Sequence, residues 1–161
     1  MPVRQLTSAR RTWTSSRKEP IERQVYLLLQ HISGEMVYEL GTILRPAGIT
    51  PEQYQVLRIL SDAGPAGVPL SVIAERSPAG DPDITRLVDR LEQRGLARRE
   101  RDTVDRRVIT ATITGDGRRL HAKLEKAVAA LHRRQLATLG HEGLADLEGL
   151  LQKIADAPPL I

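Results

Sequence analysis

The sequence predicts a mainly α fold carrying one small β-hairpin, and three observations point to it. Apolar residues recur at steps of three and four over most of the chain, the period of an amphipathic helix. The aromatics amount to one Trp and three Tyr with no Phe, so the core is aliphatic, which suits helices packed through Leu, Ile, Val and Ala stripes. Strict alternation takes over in the stretch 107–114, the second half of a hairpin that follows a Gly stop, as a short strand requires. A length of 161 residues fits one domain able to bury a real core.

The elements follow in order. Residues 1–19 carry Arg4, Arg10, Arg11, Arg17 and Lys18 with one late acid, Glu19, and no apolar period; they read as a flexible basic arm. From Pro20, the residues Ile21, Val25, Leu28, Ile32, Met36, Leu40 and Ile43 mark a long helix over 20–45, ended by Pro46 and Gly48. Thr50-Pro51-Glu52-Gln53 opens a second helix with a capping-box signature, and Ile49, Tyr54, Leu57 and Leu60 face inward. Asp62-Ala63-Gly64-Pro65 closes it. Val68 leads into a short helix near 71–76, and Ser77-Pro78-Ala79-Gly80 makes a turn. The next helix, 82–94, buries Ile84, Leu87, Val88 and Leu91 and is stopped by Gly95.

Two strands follow, 96–101 and 107–114, joined by a loop at 102–106. In the second, Ile109, Ala111 and Ile113 share one face and Val108, Thr110, Thr112 and Thr114 the other. Thr114 caps a further helix with Leu120, Leu124, Ala127, Val128 and Leu131 as its stripe. After Gly140 a last helix carries Leu144, Leu147, Leu150, Leu151 and Ile154. Helix, short Gly-containing turn, helix, then a basic hairpin is the build of a winged helix-turn-helix. The fold class is therefore mainly α with a small β-wing: a winged helix-turn-helix lobe over 49–114, and long dimerisation helices over 20–45 and 115–156, within a single domain spanning 20–161.

The modest charge excess is compatible with a polyanionic partner and does not demand one. The net charge is +4, and only four of the 24 basic residues are Lys. Double-stranded DNA is the expected partner of such a lobe. On helix 82–94 the side opposite the apolar stripe holds Thr85, Arg86 and Arg90. The two Arg are one turn apart and can reach guanine edges bidentately, while Thr85 can touch a base edge or a phosphate. The bland alternative is a solvated face on which Arg86 or Arg90 pairs with Asp89. Asp81 and Asp83 suit the first helical turn as caps, and can also orient an Arg. Arg106 and Arg107 sit beside Asp105 in the hairpin, placed for phosphate or minor-groove contact.

At these residues the chain resembles the MarR family of bacterial transcription regulators. ITPEQYQVLRIL resembles the family's second helix. TRLVDRLEQRGLARRERDTVDRRVITATIT resembles its recognition helix and wing, Asp105-Arg106-Arg107 included. Thr114-Gly115-Asp116-Gly117 resembles its Thr-x-x-Gly entry into a long helix. By element order the likeness spans about residues 20–156. It implies a homodimer held by the first and last two long helices, a pseudo-palindromic operator, repression, and release by a small phenolic or anionic effector. The region of such a pocket holds Tyr26, His31, Tyr38 and Tyr54; ordinary hydrogen-bonded Tyr and His are the plainer reading of these four. The chain departs from the family at Gly80-Asp81-Pro82-Asp83, which replaces the usual Ser-, Lys- or Thr-rich helix start. It also lacks the cysteine that the family's peroxide sensors use.

Other classes are weaker. There is no Cys, so disulfides, thiolate metal sites and cysteine sensing are excluded. His31, His121, His132 and His141 form no metal-ligand spacing, and no phosphate loop or nucleophile motif appears, so no metal, cofactor or catalysis is expected. No apolar run approaches membrane-spanning length and no signal peptide is evident, so a cytoplasmic location is expected. The remaining alternative is a winged helix that binds proteins without specific DNA binding.

Overall fold

The computed structural model describes residues 19–77, 83–101 and 108–158. The basic arm through Lys18, the turn and helix start at 78–82, and the hairpin loop at 102–107 with Arg106 and Arg107 lie outside the described residues. The chain divides into two compact units, residues 1–38 and 39–161.

Helix α1 spans Ile21–Leu44. Its part in the first unit exposes a run of apolar side chains: Ile21, Val25, Leu29 and Ile32. In the second unit its last turns bury Leu40 and Leu44. A 3-10 turn, Arg45–Ala47, leads to Gly48, whose φ of 64° is the left-handed conformation that spares glycine a Cβ clash.

Helix α2, Pro51–Ala63, begins as its sequence predicts. The Gln53 amide donates to Thr50 Oγ1 (3.3 Å), and the Thr50 amide donates to Gln53 Oε1 (3.1 Å). This reciprocal cap contributes about 1 kcal/mol. Tyr54, Val56, Leu57, Ile59 and Leu60 are buried, making α2 the centre of the core. Helix α3 spans Leu70–Arg76 and packs on α2 and α4 (Ile84–Gln93).

Among the described residues the sheet has three strands, not the two of the predicted hairpin. β1 (Val68–Pro69), β2 (Ala97–Arg101) and β3 (Ile109–Ile113) run in the order β1-β3-β2, all antiparallel. Val68 pairs with Ala111, and Ala97 with Ile113. The sequence reading sent Val68 straight into a helix because a two-residue strand has no period to detect. Pro69 lacks an N–H and is tolerated there because β1 is an edge. The alternation in β3 reads correctly: Ala111 and Ile113 are buried.

Helix α5 spans Gly115–Leu136, with Thr114 as its cap accepting from the Gly117 amide at 3.0 Å. It buries His121, Leu124, Val128 and Leu131 against the core. After a 3-10 turn, α6 (Gly140–Ala155) buries none of its side chains. Leu150, Leu151 and Ile154 stand exposed. No helix among the described residues is long and apolar enough to cross a membrane.

Candidate nucleic-acid interface

The helix α4 is short, strongly amphipathic and anchored by its apolar side. Ile84, Val88 and Leu91 are buried against α2 and α3, which turns Thr85, Arg86 and Arg90 to solvent. Its C-terminus closes with a two-bond cap. The Leu96 amide donates to the Leu91 carbonyl (2.9 Å) and the Gly95 amide to the Glu92 carbonyl (2.8 Å), with Gly95 at φ 68°.

Of the two outward Arg, Arg86 lies against Asp83, Nη1 to Oδ2 at 3.4 Å, with 76% of its side chain exposed. Asp83 makes no side-chain cap to α4, so the capping role read for it gives way to the alternative of orienting an Arg. Arg90 is exposed and has no ion-pair partner among the described residues. The expectation that Asp89 would neutralise one of these Arg does not hold. Asp89 forms an ion pair with Arg99 of β2 instead. Positions 86 and 90 lie on one flank of α4 and positions 89 and 92 on the other, 100° or more around from Arg90 at 3.6 residues per turn.

Arg99 is the residue the sequence reading passed over. It sits on the inward face of β2, at the same parity as buried Ala97, opposite Ala111. An Arg at an inward strand position requires acids beneath it, and α4 supplies two. The Arg99 Nε and Nη2 donate to Glu92 Oε2 at 2.8 and 2.7 Å, and its backbone amide to Glu92 Oε1 at 2.9 Å. The hydrogen bond from the Arg99 amide, then that from its guanidinium, hold the Glu92 carboxyl below its ordinary 4.5. The basic strand is thereby fastened to the helix, and Asp89 and Glu92 of α4 are engaged by the protein's own Arg99 at a half-buried position. The signal for this was present: acids three residues apart on one helix, and an Arg where the strand alternation demands an inward residue.

The ligand-pocket candidates are distributed over both units. In the first, Tyr26 is exposed, accepts from Gln30 Nε2 at 3.0 Å, and borders a shallow apolar depression with Ile21, Val25 and Leu29. His31 is half-buried with Nε2 at 3.5 Å from Glu35, and Tyr38 is exposed. In the second, Tyr54 is buried and stacks on His121 with centroids 5.5 Å apart. Burial, then the charge of Glu125, raises the Tyr54 phenol above its ordinary 10.0, which keeps it neutral. Among the described residues no group of three or more His, Cys, Asp or Glu is placed to hold a metal ion.

This arrangement has known counterparts. Residues 49–109 match the family model of the MarR family. Over 140 residues the chain is 33% identical to the HTH-type transcriptional repressor MdtR of Bacillus subtilis, covering 85% of this chain and 84% of that protein. The chain belongs to the MarR family. Among solved structures, a MarR transcription factor from Planctomyces limnophilus is 34% identical, with a TM-score of 0.65 over 84% of this chain and 98% of that one. AbsC, a MarR family transcriptional regulator from Streptomyces coelicolor, is 26% identical, with a TM-score of 0.75 over 88% and 97%. This MarR chain is thus a DNA-binding transcription regulator, and the reading of its winged helix as a pure protein-interaction module is set aside.

Proposed function

We propose that the chain is a homodimeric, ligand-responsive repressor that reads a pseudo-palindromic operator with α4. The observation that carries this is the pair Arg86 and Arg90, outward on one flank of a helix whose other flank is occupied by Arg99. Arg86, Arg90 and Thr85 enter the major groove, and Arg106 and Arg107 of the wing grip the flanking backbone or minor groove. The basic arm 1–19 adds phosphate contacts.

Dimerisation is supported by apolar stripes that each unit exposes: Ile21, Val25, Leu29 and Ile32 on α1, and Leu150, Leu151 and Ile154 on α6. A second copy burying both sets gains the transfer free energy of large aliphatic side chains, about 1.5–3 kcal/mol each when fully covered. The helices 20–45 and 115–156 then form the dimer base of a single domain 20–161, and 49–114 the DNA-binding lobe. A small phenolic or anionic effector releases the DNA. The B. subtilis relative is named a repressor, which supports repression as the outcome. The protein works in the cytoplasm, without a cofactor and without catalysing a reaction.

Selection of duplexes from a random pool by the purified protein tests this. The enriched sequences are expected to be pseudo-palindromes with half-sites about 10 bp apart, one helical turn. A pool that shows no enrichment, or enriches an asymmetric single site, contradicts the dimeric operator.

A further inference from the structure

The end of α1 has an unusual completion. The helix has no basic residue in its last turn, and a helix C-terminus leaves carbonyls unpaired at the negative end of its dipole. Its last carbonyl, that of Leu44, accepts from the Ile49 amide (3.4 Å), and in the 3-10 turn that follows the Arg45 carbonyl accepts from the Gly48 amide (2.9 Å). Two carbonyls at the end of that turn, those of Ala47 and Gly48, are met from elsewhere in the chain. Arg94 Nη2 donates to the Ala47 carbonyl at 2.9 Å, and Nη1 to that of Gly48 at 2.5 Å. Arg94 is the C-cap of α4. A planar fork spanning two carbonyls ties the C-cap of α4 to the end of the 3-10 turn that follows α1, 46 and 47 positions away.

The same end of α4 is also tied to α5. The Thr114 amide donates to the Leu96 carbonyl (3.1 Å), and its hydroxyl to that of Gly95 (2.6 Å). The C-terminus of α4 is therefore held between the turn that follows α1 and the start of α5. Arg86 lies eight residues back along the helix, about 12 Å from that anchor. A tilt of about 10° at the anchor moves Arg86 by about 2 Å, well beyond the ~0.5 Å within which a bidentate contact stays aligned.

We infer that Arg94 is a positioning residue for DNA recognition: it fixes the angle of α4 against the turn that follows α1, and hence the aim of Arg86 and Arg90, without contacting DNA. This rests on α4 being the recognition helix. It is a surface Arg at the end of a DNA-facing helix, yet two of its donors are engaged by the protein's own carbonyls.

The test measures full-length wild type, Arg94→Gln and Arg94→Lys by fluorescence anisotropy across a salt series. Each is titrated on the duplex that wild type selects from a random pool and on a scrambled duplex of equal length. Arg94→Gln is expected to lose roughly tenfold on the selected duplex and less than about twofold on the scrambled one, with the salt slope unchanged. Arg94→Lys, which keeps the charge and loses the fork, is expected to recover only part of the loss. It carries the same test if Arg94→Gln does not fold. Equal losses on both duplexes, with a slope flatter by about 0.9 per Arg, make Arg94 a phosphate contact and overturn the inference. Unchanged binding on both overturns it as well. A wild type that prefers no selected duplex overturns the regulator reading, and this inference with it, before any variant is compared.

Discussion

Arginines that look alike in the sequence do different work. Arg86 and Arg90 face solvent from α4, Arg99 is turned inward onto Asp89 and Glu92, and Arg94 closes on the Ala47 and Gly48 carbonyls. The difference is one of parity and phase. Positions 86 and 90 fall opposite the stripe of Ile84, Val88 and Leu91, whereas 99 falls with Ala97 on the inward side of β2. The Glu92 contact carries a pH dependence. Because its hydrogen bonds from Arg99 depress its pKa below 4.5, it contributes stability that is full above that value and lost as pH falls through the depressed one. Glu92→Gln is therefore expected to be less stable than wild type at neutral pH. The gap should close as pH falls below 4.5, read from urea midpoints across an acid series. A gap that stays constant through that series would show that the carboxylate contributes nothing by its charge.

At the scale of elements, the joint between α4, β2 and α5 is set by one glycine. A Cβ at Gly117 would fall 2.0 Å from the Leu96 carbonyl oxygen and 2.9 Å from Ile113. Backbone cannot yield as a side-chain tip can, so Gly117→Ala forces α5 away from the start of β2. Destabilisation by about 2–3 kcal/mol is expected in urea unfolding, with weakened DNA binding as α4 loses its seat. A Gly117→Ala protein of wild-type stability would show that the close approach is not needed. Most elements were legible in the sequence because each has a local signal: the Thr50 capping box, the α4 stripe, the Gly95 stop, the alternation of β3. What was not legible is held by distant partners. β1 is two residues long and exists only because β3 lies beside it. The roles of Arg94 and Arg99 depend on carbonyls and carboxylates that only the fold brings near. His121 likewise joins the α5 stripe by stacking on Tyr54, where its polarity hid it among Leu120, Leu124 and Val128.

For the whole molecule, the candidate DNA surface was read from residue type and order, and its two halves differ in what the structure adds. Thr85, Arg86 and Arg90 stand outward on a described helix. Arg106 and Arg107 lie outside the described residues, so their part rests on the sequence. The apolar stripes on α1 and α6 are what a chain of this length leaves over after filling its core, and a second copy is their simplest cover. In the proposed dimer two copies present two α4 helices to one duplex, so phosphate contacts count twice. The most direct measurement is the affinity of wild-type protein for its selected duplex and for a scrambled one, across a salt series. The account predicts a preference of about a thousandfold or more, and a log–log salt slope of magnitude about 4 or greater, roughly 0.9 per phosphate contacted. Equal affinity for both duplexes, or a slope near zero, would contradict it.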